Sequence, residues 1–299
     1  MNTESVSLFL NPTAGRGRAG RRMARICEIL DAAGVAFDLF QSQAIRDLES
    51  QVGSLVHAGA RRIIVAGGDG SVHEAVNGIM QAGADAQLGV IPTGTGNDFA
   101  KACSIPLDWE LATSQLADRL LAGDKPRRID VGRMNDRFFA NGAGIGFDAK
   151  VTRIAQAYRW PIGDLVYLYA IFRCMVDGIE TPRVTISAGG FNWSGPVTLV
   201  NVSNGAWLGG MFHIAPQADN NDGQLNLLIV EPVSRLRITS LVPKLVRGSH
   251  MAEAEITHTG VKKLSIEAST AMPSHLDGEV GEPGTRFDVD ILPDALELL

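Results

Sequence analysis

The stretch from Ile63 to Glu74 limits the fold of this chain more than any other. Ile63-Ile64-Val65-Ala66 runs into Gly67-Gly68-Asp69-Gly70 and then into Ser71-Val72-His73-Glu74. A short apolar run rich in β-branched residues that halts at glycines and restarts with helical periodicity predicts strand, tight loop, helix. Glycines let the backbone approach a ligand closely, and the helix start directs unpaired N–H groups and partial positive charge at it. A phosphate suits that place, and Asp69 can serve a magnesium ion or a ligand hydroxyl. The same residues admit a plainer reading, because Ser71 and Glu74 stand in capping-box spacing and would then satisfy helix-end amides.

The same unit recurs along the first part of the chain. Residues 6–10 read as a buried strand, followed by Asn11-Pro12-Thr13-Ala14-Gly15 and a long helix from near Arg18. Strands are expected at 35–40, 62–66 and 88–91 and helices at 45–58 and 71–81, the last strand ending in Pro92-Thr93-Gly94-Thr95-Gly96-Asn97-Asp98. Strands alternating with helices imply a mostly parallel sheet covered on both faces, with ligands beyond the carboxyl ends of its strands. The glycine-rich segments after the first, third and fourth strands all fall on that edge. Near Gly123-Asp124-Lys125-Pro126 the pattern changes to short alternating runs at 127–134, 137–142, 183–188, 193–202, 224–230, 253–258, 261–267 and 286–292. Turn signals separate them, the signature of an antiparallel sandwich, interrupted by helical segments at 148–157, 163–177 and 234–246. The expectation is an α/β protein of two domains. A doubly wound α/β nucleotide-binding domain covers 1–125 and an antiparallel β-sandwich covers 126–292, with the tail 293–299 free to return to the first domain.

Several function classes are disfavoured. A net charge of −6 argues against general nucleic-acid binding. Cys27, Cys103 and Cys174 are far apart and form no Cys-x-x-Cys pair, which suits a reducing cytosol. The polar, acidic N-terminus carries no secretory signal. The most lipophilic run, Leu165 to Phe172, ends at Arg173, far short of the ~20 residues that span a bilayer, so membrane contact would be peripheral. Gly15-Arg16-Gly17-Arg18-Ala19-Gly20 matches a dinucleotide fingerprint, with Asp38 near its ribose position. However, Asn11 to Ala14 separate the first glycine from the strand, which argues against a nicotinamide enzyme. Arg16, Arg18, Arg21, Arg22 and Arg25 could meet phosphates or an anionic membrane, or form a solvated helix face. Asp130 is a carboxylate inside an apolar strand, either functional or structurally paired. Asp222-Gly223 and Asp277-Gly278 are first of all turn signals. Asp277 and Glu279 stand two residues apart, on one face if extended, and could make a base and its partner.

In order and spacing, Asn11-Pro12 with Gly15, Gly67-Gly68-Asp69-Gly70-Ser71 with Glu74 and Asn77-Gly78, and Gly94-Thr95-Gly96-Asn97-Asp98-Phe99-Ala100 resemble the diacylglycerol kinase catalytic domain. Pro216, Ala218, Asn221-Asp222-Gly223, Leu276-Asp277-Gly278-Glu279, Ile291-Leu292-Pro293 and Ala295-Leu296 extend the resemblance over nearly the whole chain, toward the soluble bacterial lipid kinases of that family. The resemblance implies a nucleotide domain similar to those of phosphofructokinases and NAD kinases, and a β-sandwich that binds lipid. It also implies ATP-dependent phosphorylation of a membrane-lipid hydroxyl, with ATP and Mg2+ as cofactors, in the cytoplasm and transiently at the inner membrane surface.

Carried over position by position, the resemblance gives nucleotide contacts to Asn11, Pro12, Thr13, Ala14 and Gly15, to Gly67, Gly68, Asp69, Gly70, Ser71 and Glu74, and to Gly94, Thr95 and Asn97. Asp69, Asp98 and Asp130 would form a carboxylate network around a catalytic magnesium, and Asp277 would be the general base with Glu279 beside it. A second, structural magnesium would fall on Asp222 with backbone carbonyls of Asp219 and Gln224. Ser71 replaces a commoner threonine and keeps the hydroxyl, and His73 replaces a usual asparagine. A homodimer is compatible with an exposed sandwich edge. Two rival readings remain. In one the acceptor is NAD, which leaves the lipophilic stretch and the Asp277 segment without their expected roles. The other is a non-catalytic nucleotide-binding regulator, against which stands the presence of every carboxylate just named.

Overall fold

A computed structural model of the chain describes residues 5–12, 14–42, 46–158, 163 and 165–299. The chain forms two compact units, Met1–Asp130 with Asp294–Leu299, and Val131–Pro293.

The first unit contains β1 (Val6–Leu10), α1 (Ala14–Ala33), β2 (Phe37–Gln41), α2 (Asp47–His57), β3 (Arg62–Gly67), α3 (Asp69–Ala82), β4 (Gln87–Pro92), α4 (Asp98–Ala102) and α5 (Trp109–Ala122). Its strands lie side by side as β2-β1-β3-β4, every pair parallel. The last residues of the chain add to this sheet, pairing Glu297 with Gln87 and Leu298 with Leu88, again in parallel. β-branched and leucine side chains of β1, β3 and β4 meet Ile26 and Leu30 of α1 and Leu116 and Leu120 of α5 in one buried cluster. Removing one such leucine to alanine typically costs about 2–5 kcal/mol. Two details differ from the sequence reading. Helix α1 begins at Ala14, not near Arg18, although Gly17 is left-handed at φ 79 and Gly20 N leaves the helical ladder to donate to Pro12 O at 3.3 Å. Helix α5, with Asp108 capping the amides of Glu110 and Leu111, was not expected.

The second unit contains β5 (Arg127–Met134, from Val131 onward), β6 (Arg137–Phe139), β7 (Gly142–Gly146), α6 (Phe147–Ala157), α7 (Leu165–Asp177), β8 (Arg183–Ala188), β9 (Phe191–Pro196) and β10 (Leu199–Ser203). It continues through β11 (Leu225–Val230), α8 (Arg235–Arg247), β12 (Ile256–Val261), β13 (Lys263–Met272), β14 (Ser274–Leu276), β15 (Glu279–Val280) and the first part of β16 (Gly284–Leu298). One sheet runs β9-β8-β13-β16 with β5 and β6 attached, and the other runs β12-β11-β10-β7-β14-β15. The strand expected over 193–202 is split, because β9 pairs with β8 in one sheet while β10 pairs with β7 and β11 in the other. Alternation in β11 shows how the layers are built. Leu225, Leu227 and Ile229 face the sandwich core, whereas Leu228 and Val230 join a second cluster with Val166, Ala170 and Ile171 of α7 and Ile238 and Leu241 of α8. The helices therefore form a third layer on the outer face of one sheet.

His250, fully buried beyond α8, donates from Nε2 to the carbonyl of Ile214 at 3.0 Å. Burial is the leading cause that holds its pKa below the ordinary histidine value of 6.5, against the raising effect of backbone carbonyls. The unfolded chain takes this proton before the folded one does. The histidine's contribution is thus complete above the unfolded pKa and is lost as pH falls through the lower folded value. The melting temperature is expected to fall between pH 7 and pH 5 more steeply in the parent than in His250→Gln. Equal slopes would remove His250 as the cause.

Candidate active site

Two glycine loops meet at the carboxyl edge of the first unit's sheet. The β3–β4 register carries on beyond the strands, with Thr93 N donating to Gly67 O at 2.9 Å. The loops then touch main chain to main chain. A Cβ added to Gly94 would lie 2.5 Å from Gly68 Cα, and one added to Gly68 would lie 3.0 Å from Gly94 Cα. Asn97, in the left-handed region at φ 53, folds its side chain back on the second loop, accepting from Gly94 N at 3.0 Å and donating to Gly94 O at 3.3 Å. Thr95 stands exposed on this loop. Helix α3 starts here with Gly68 at its N-cap and no side-chain cap bond. From the end of β1, Asn11 Nδ2 reaches the Oγ of buried Ser71 at 3.5 Å. Pro12 touches Gly20 of α1, Ala14 and Gly15 open that helix, and Thr13 lies outside the described residues.

The acidic residues of α3 cap its neighbours. Asp69 Oδ1 accepts from Phe99 N of α4 at 3.0 Å. Glu74 Oε2 accepts from Leu48 N and Glu49 N of α2 at 3.1 and 3.4 Å. The capping box suggested by Ser71 and Glu74 does not form, because the N-cap is Gly68 and Glu74 lies beyond the first turn, facing another helix. A cap of this kind is worth roughly 1 kcal/mol, so the motif also fastens α2 and α4 to the loop. Asp98 pairs with Lys101 at 3.3 Å. Asp130, only 1% exposed, accepts from Asp294 N at 2.8 Å. Among the described residues no three His, Cys, Asp or Glu side chains are grouped to hold a metal ion.

In the second unit, Asp277 and Gly278 are the central residues of the hairpin turn between β14 and β15, with φ 50 and φ 87. Positive φ at both positions matches the turn type that Asp-Gly favours. The Asp277 carboxylate is gripped as well: Oδ1 accepts from Asn141 N at 2.8 Å and Gly142 N at 2.9 Å, and Oδ2 from Ala140 N at 3.0 Å. An ionised carboxylate is acceptor-only, and three N–H donors suit that form. Glu279, two residues on, is exposed. This amide cradle lies more than a hundred residues from the turn along the chain, so nothing next to Asp277 in sequence announces it. Asp219 and Asp222 are exposed and each closes a local turn, onto Asn221 N at 3.1 Å and Gln224 N at 2.9 Å.

Comparison with known proteins gives this arrangement a lineage. Residues 5–134 match the family described as diacylglycerol kinase catalytic domain, and residues 142–299 match the YegS C-terminal NAD kinase beta sandwich-like domain. A diacylglycerol kinase of Bacillus subtilis (strain 168) is 30% identical over 275 residues, covering 92% of this chain and 89% of the relative. One from Mycobacterium tuberculosis (strain ATCC 25618 / H37Rv) is 29% identical over 310 residues, covering 98% and 94%. The crystal structure of a diacylglycerol kinase from Bacillus anthracis str. Sterne superposes with a TM-score of 0.76 at 25% identity, over 99% of this chain and 96% of that one. With the glycine loops on a parallel sheet, the sandwich behind Asp277, and relatives matched along almost their whole lengths, this chain belongs to the diacylglycerol kinase family.

Proposed function

We propose that the chain is an ATP-dependent lipid kinase that transfers the γ-phosphoryl group of ATP to a hydroxyl of a diacylglycerol-like membrane lipid. The main-chain contact of Gly68 with Gly94 beside the start of α3 carries this reading. Two loops without side chains at their closest point leave room for phosphates against backbone N–H groups. Gly67, Gly68, Gly70, Gly94 and Thr95 would face the nucleotide, with Asn11, Pro12, Ser71 and Asn97 shaping the loops and Glu74 anchoring them to α2. Magnesium keeps several of its waters and needs only one or two carboxylates alongside phosphate, so Asp69 and Asp98 suit it as hard oxygen donors, with Asp130 as third member of the network. When bound, it neutralises charge building on the phosphates. Asp222, with the carbonyls of Asp219 and Gln224, is an oxygen set of the same chemistry for a structural ion.

Transfer itself asks little covalent help of the protein. The lipid oxygen bonds to the γ-phosphorus as the bond to ADP breaks, ADP leaves with that electron pair, and Asp277 takes the hydroxyl proton. Lipid access would come through α7, whose Leu165, Phe172 and Val176 are 55%, 60% and 52% exposed. Their spacing puts them on one helix face while Val166, Ala170 and Cys174 face the core. No helix among the described residues is long and apolar enough to cross a membrane. We therefore assign peripheral contact at the cytoplasmic surface.

Radiolabelled ATP with magnesium, offered diacylglycerol in mixed micelles and NAD side by side, should label the lipid. Label in NAD alone would favour the rival acceptor that the name of the second matched domain suggests. ATP binding with label in neither would favour a non-catalytic regulator. In the same preparation, Phe172→Glu should weaken sedimentation with anionic vesicles and spare transfer to a dissolved short-chain diacylglycerol. Unchanged sedimentation would remove α7 from the membrane.

A further inference from the structure

We infer that His275, oriented by Asp148, is a positioning residue that holds the turn carrying Asp277. The inference rests on the reading of Asp277 as the base.

His275 is fully buried on β14, two residues before Asp277, and pairs across the sheet with Gly144 of β7. Its Nδ1 accepts from Gly278 N at 3.3 Å. A backbone N–H can only donate, so Nδ1 carries the lone pair and the neutral ring carries its hydrogen on Nε2. That Nε2 lies 3.7 Å from Oδ2 of Asp148, in the first turn of α6. Both atoms are buried and neither has a hydrogen-bond partner among the described residues, so each is the electrostatic complement of the other. The other oxygen of Asp148 accepts from Ala149 N at 2.8 Å, which fixes which oxygen faces the ring.

Gly144 makes the approach possible. A Cβ there would sit 2.1 Å from Asp148 Oδ2 and 2.3 Å from His275 Nε2, so no other residue leaves space for the pair. Further along α6, Gln156 Nε2 donates to Gly278 O at 2.7 Å. Helix α6 thus holds both main-chain groups of Gly278, the amide through Asp148 and His275 and the carbonyl through Gln156. Asp277 N donates to Gly142 O at 2.8 Å and completes the clamp. With the turn pinned on each side, the left-handed Asp277 keeps its carboxylate on the amides of Ala140, Asn141 and Gly142.

The two ring nitrogens can be tested separately. In His275→Asn the side-chain oxygen falls where Nδ1 was and can still accept from Gly278. In His275→Gln the amide nitrogen falls where Nε2 was, and the acceptor is lost. Asp148→Asn acts at a distance. Because Ala149 N–H holds one position for an oxygen, the NH2 must take the other and face Nε2, which drives the ring hydrogen to Nδ1 and against Gly278.

With ATP and diacylglycerol in mixed micelles, His275→Gln and Asp148→Asn should lower kcat about ten- to a hundredfold with KM for ATP unchanged, the scale expected when a reacting group is displaced by about 1 Å. His275→Asn should stay within about threefold of the parent, since the acceptor survives. Nitrogen-15 spectra of the imidazole should place the hydrogen on Nε2 in the parent and on Nδ1 in Asp148→Asn. Equal loss in His275→Asn and His275→Gln, parental kcat in His275→Gln, or an Nδ1 hydrogen in the parent would each overturn the assignment. Asp277→Asn run in parallel separates the two claims. If it is inactive while His275→Gln is parental, only the positioning role falls, whereas parental turnover in Asp277→Asn removes the base itself.

Discussion

Asp277→Asn should bind ATP as the parent does and transfer phosphate to lipid roughly 10²–10⁴-fold more slowly, the usual worth of a positioned general base. The substitution keeps shape and removes the proton acceptor. Its local cost can also be foreseen. Asn141 N and Gly142 N share one carboxylate oxygen while Ala140 N takes the other. The asparagine oxygen will stay with the pair of donors, which turns its NH2 toward Ala140 N, donor against donor. One buried amide left without its acceptor costs about 1–3 kcal/mol, so the variant should melt lower yet fold. Calorimetry with ATP, thermal melting and the radiolabel assay together decide the matter. Normal ATP binding and a modest loss in melting temperature with nearly absent turnover is the expected triad. Parental turnover would withdraw Asp277 from the chemistry.

The order of an α/β half before a sandwich half was legible because periodicity is a local property. The apolar runs at 6–10, 62–66 and 224–230 and the alternating run at 183–188 each state their environment within a few residues. What escaped was long-range. Glu74 looks from its spacing like a cap for its own helix, yet its partners are Leu48 N and Glu49 N, 26 and 25 residues away. Gly195-Pro196 marks a break inside the run over 193–202, just before the chain passes between sheets at Val197 and Thr198, but a dipeptide alone does not say that the two halves join different sheets. Leu228 and Val230 belong to a helical layer that the apolar run of β11 cannot announce. The Asp277-Gly278 turn could be read from its dipeptide, but its clamp of Asp148, Gln156 and His275 depends on α6 lying beside β14. Glycines that permit a turn and glycines that permit a close approach look alike in sequence. Gly94 and Gly144 are of the second kind.

That distinction makes Gly94→Ala the sharper test of the nucleotide loops. Gly94 is outside the left-handed region, so alanine can adopt its backbone angles and only contact is at issue. The new methyl would meet Gly68 Cα at 2.5 Å, Asn97 Oδ1 at 2.7 Å and Gly68 N at 3.3 Å. A rotamer change in Asn97 relieves one of these and breaks its clamp on Gly94. The other two are main chain, and the pairing of Gly67 with Thr93 stops the loops from sliding apart. Overpacking of this kind costs about 1–3 kcal/mol in stability. If the same strain is carried by the loop that receives the phosphates, ATP affinity should fall roughly five- to a hundredfold. Gly53→Ala is the control. Its Cβ would lie 3.5 Å from Gly78 O, ordinary contact, in the middle of α2. Relief of glycine's helix penalty should then raise stability by about 0.5–1 kcal/mol with ATP binding unchanged. Gly94→Ala with parental ATP affinity would mean that the two loops meet for packing alone, and the nucleotide would have to be sought elsewhere on the first unit.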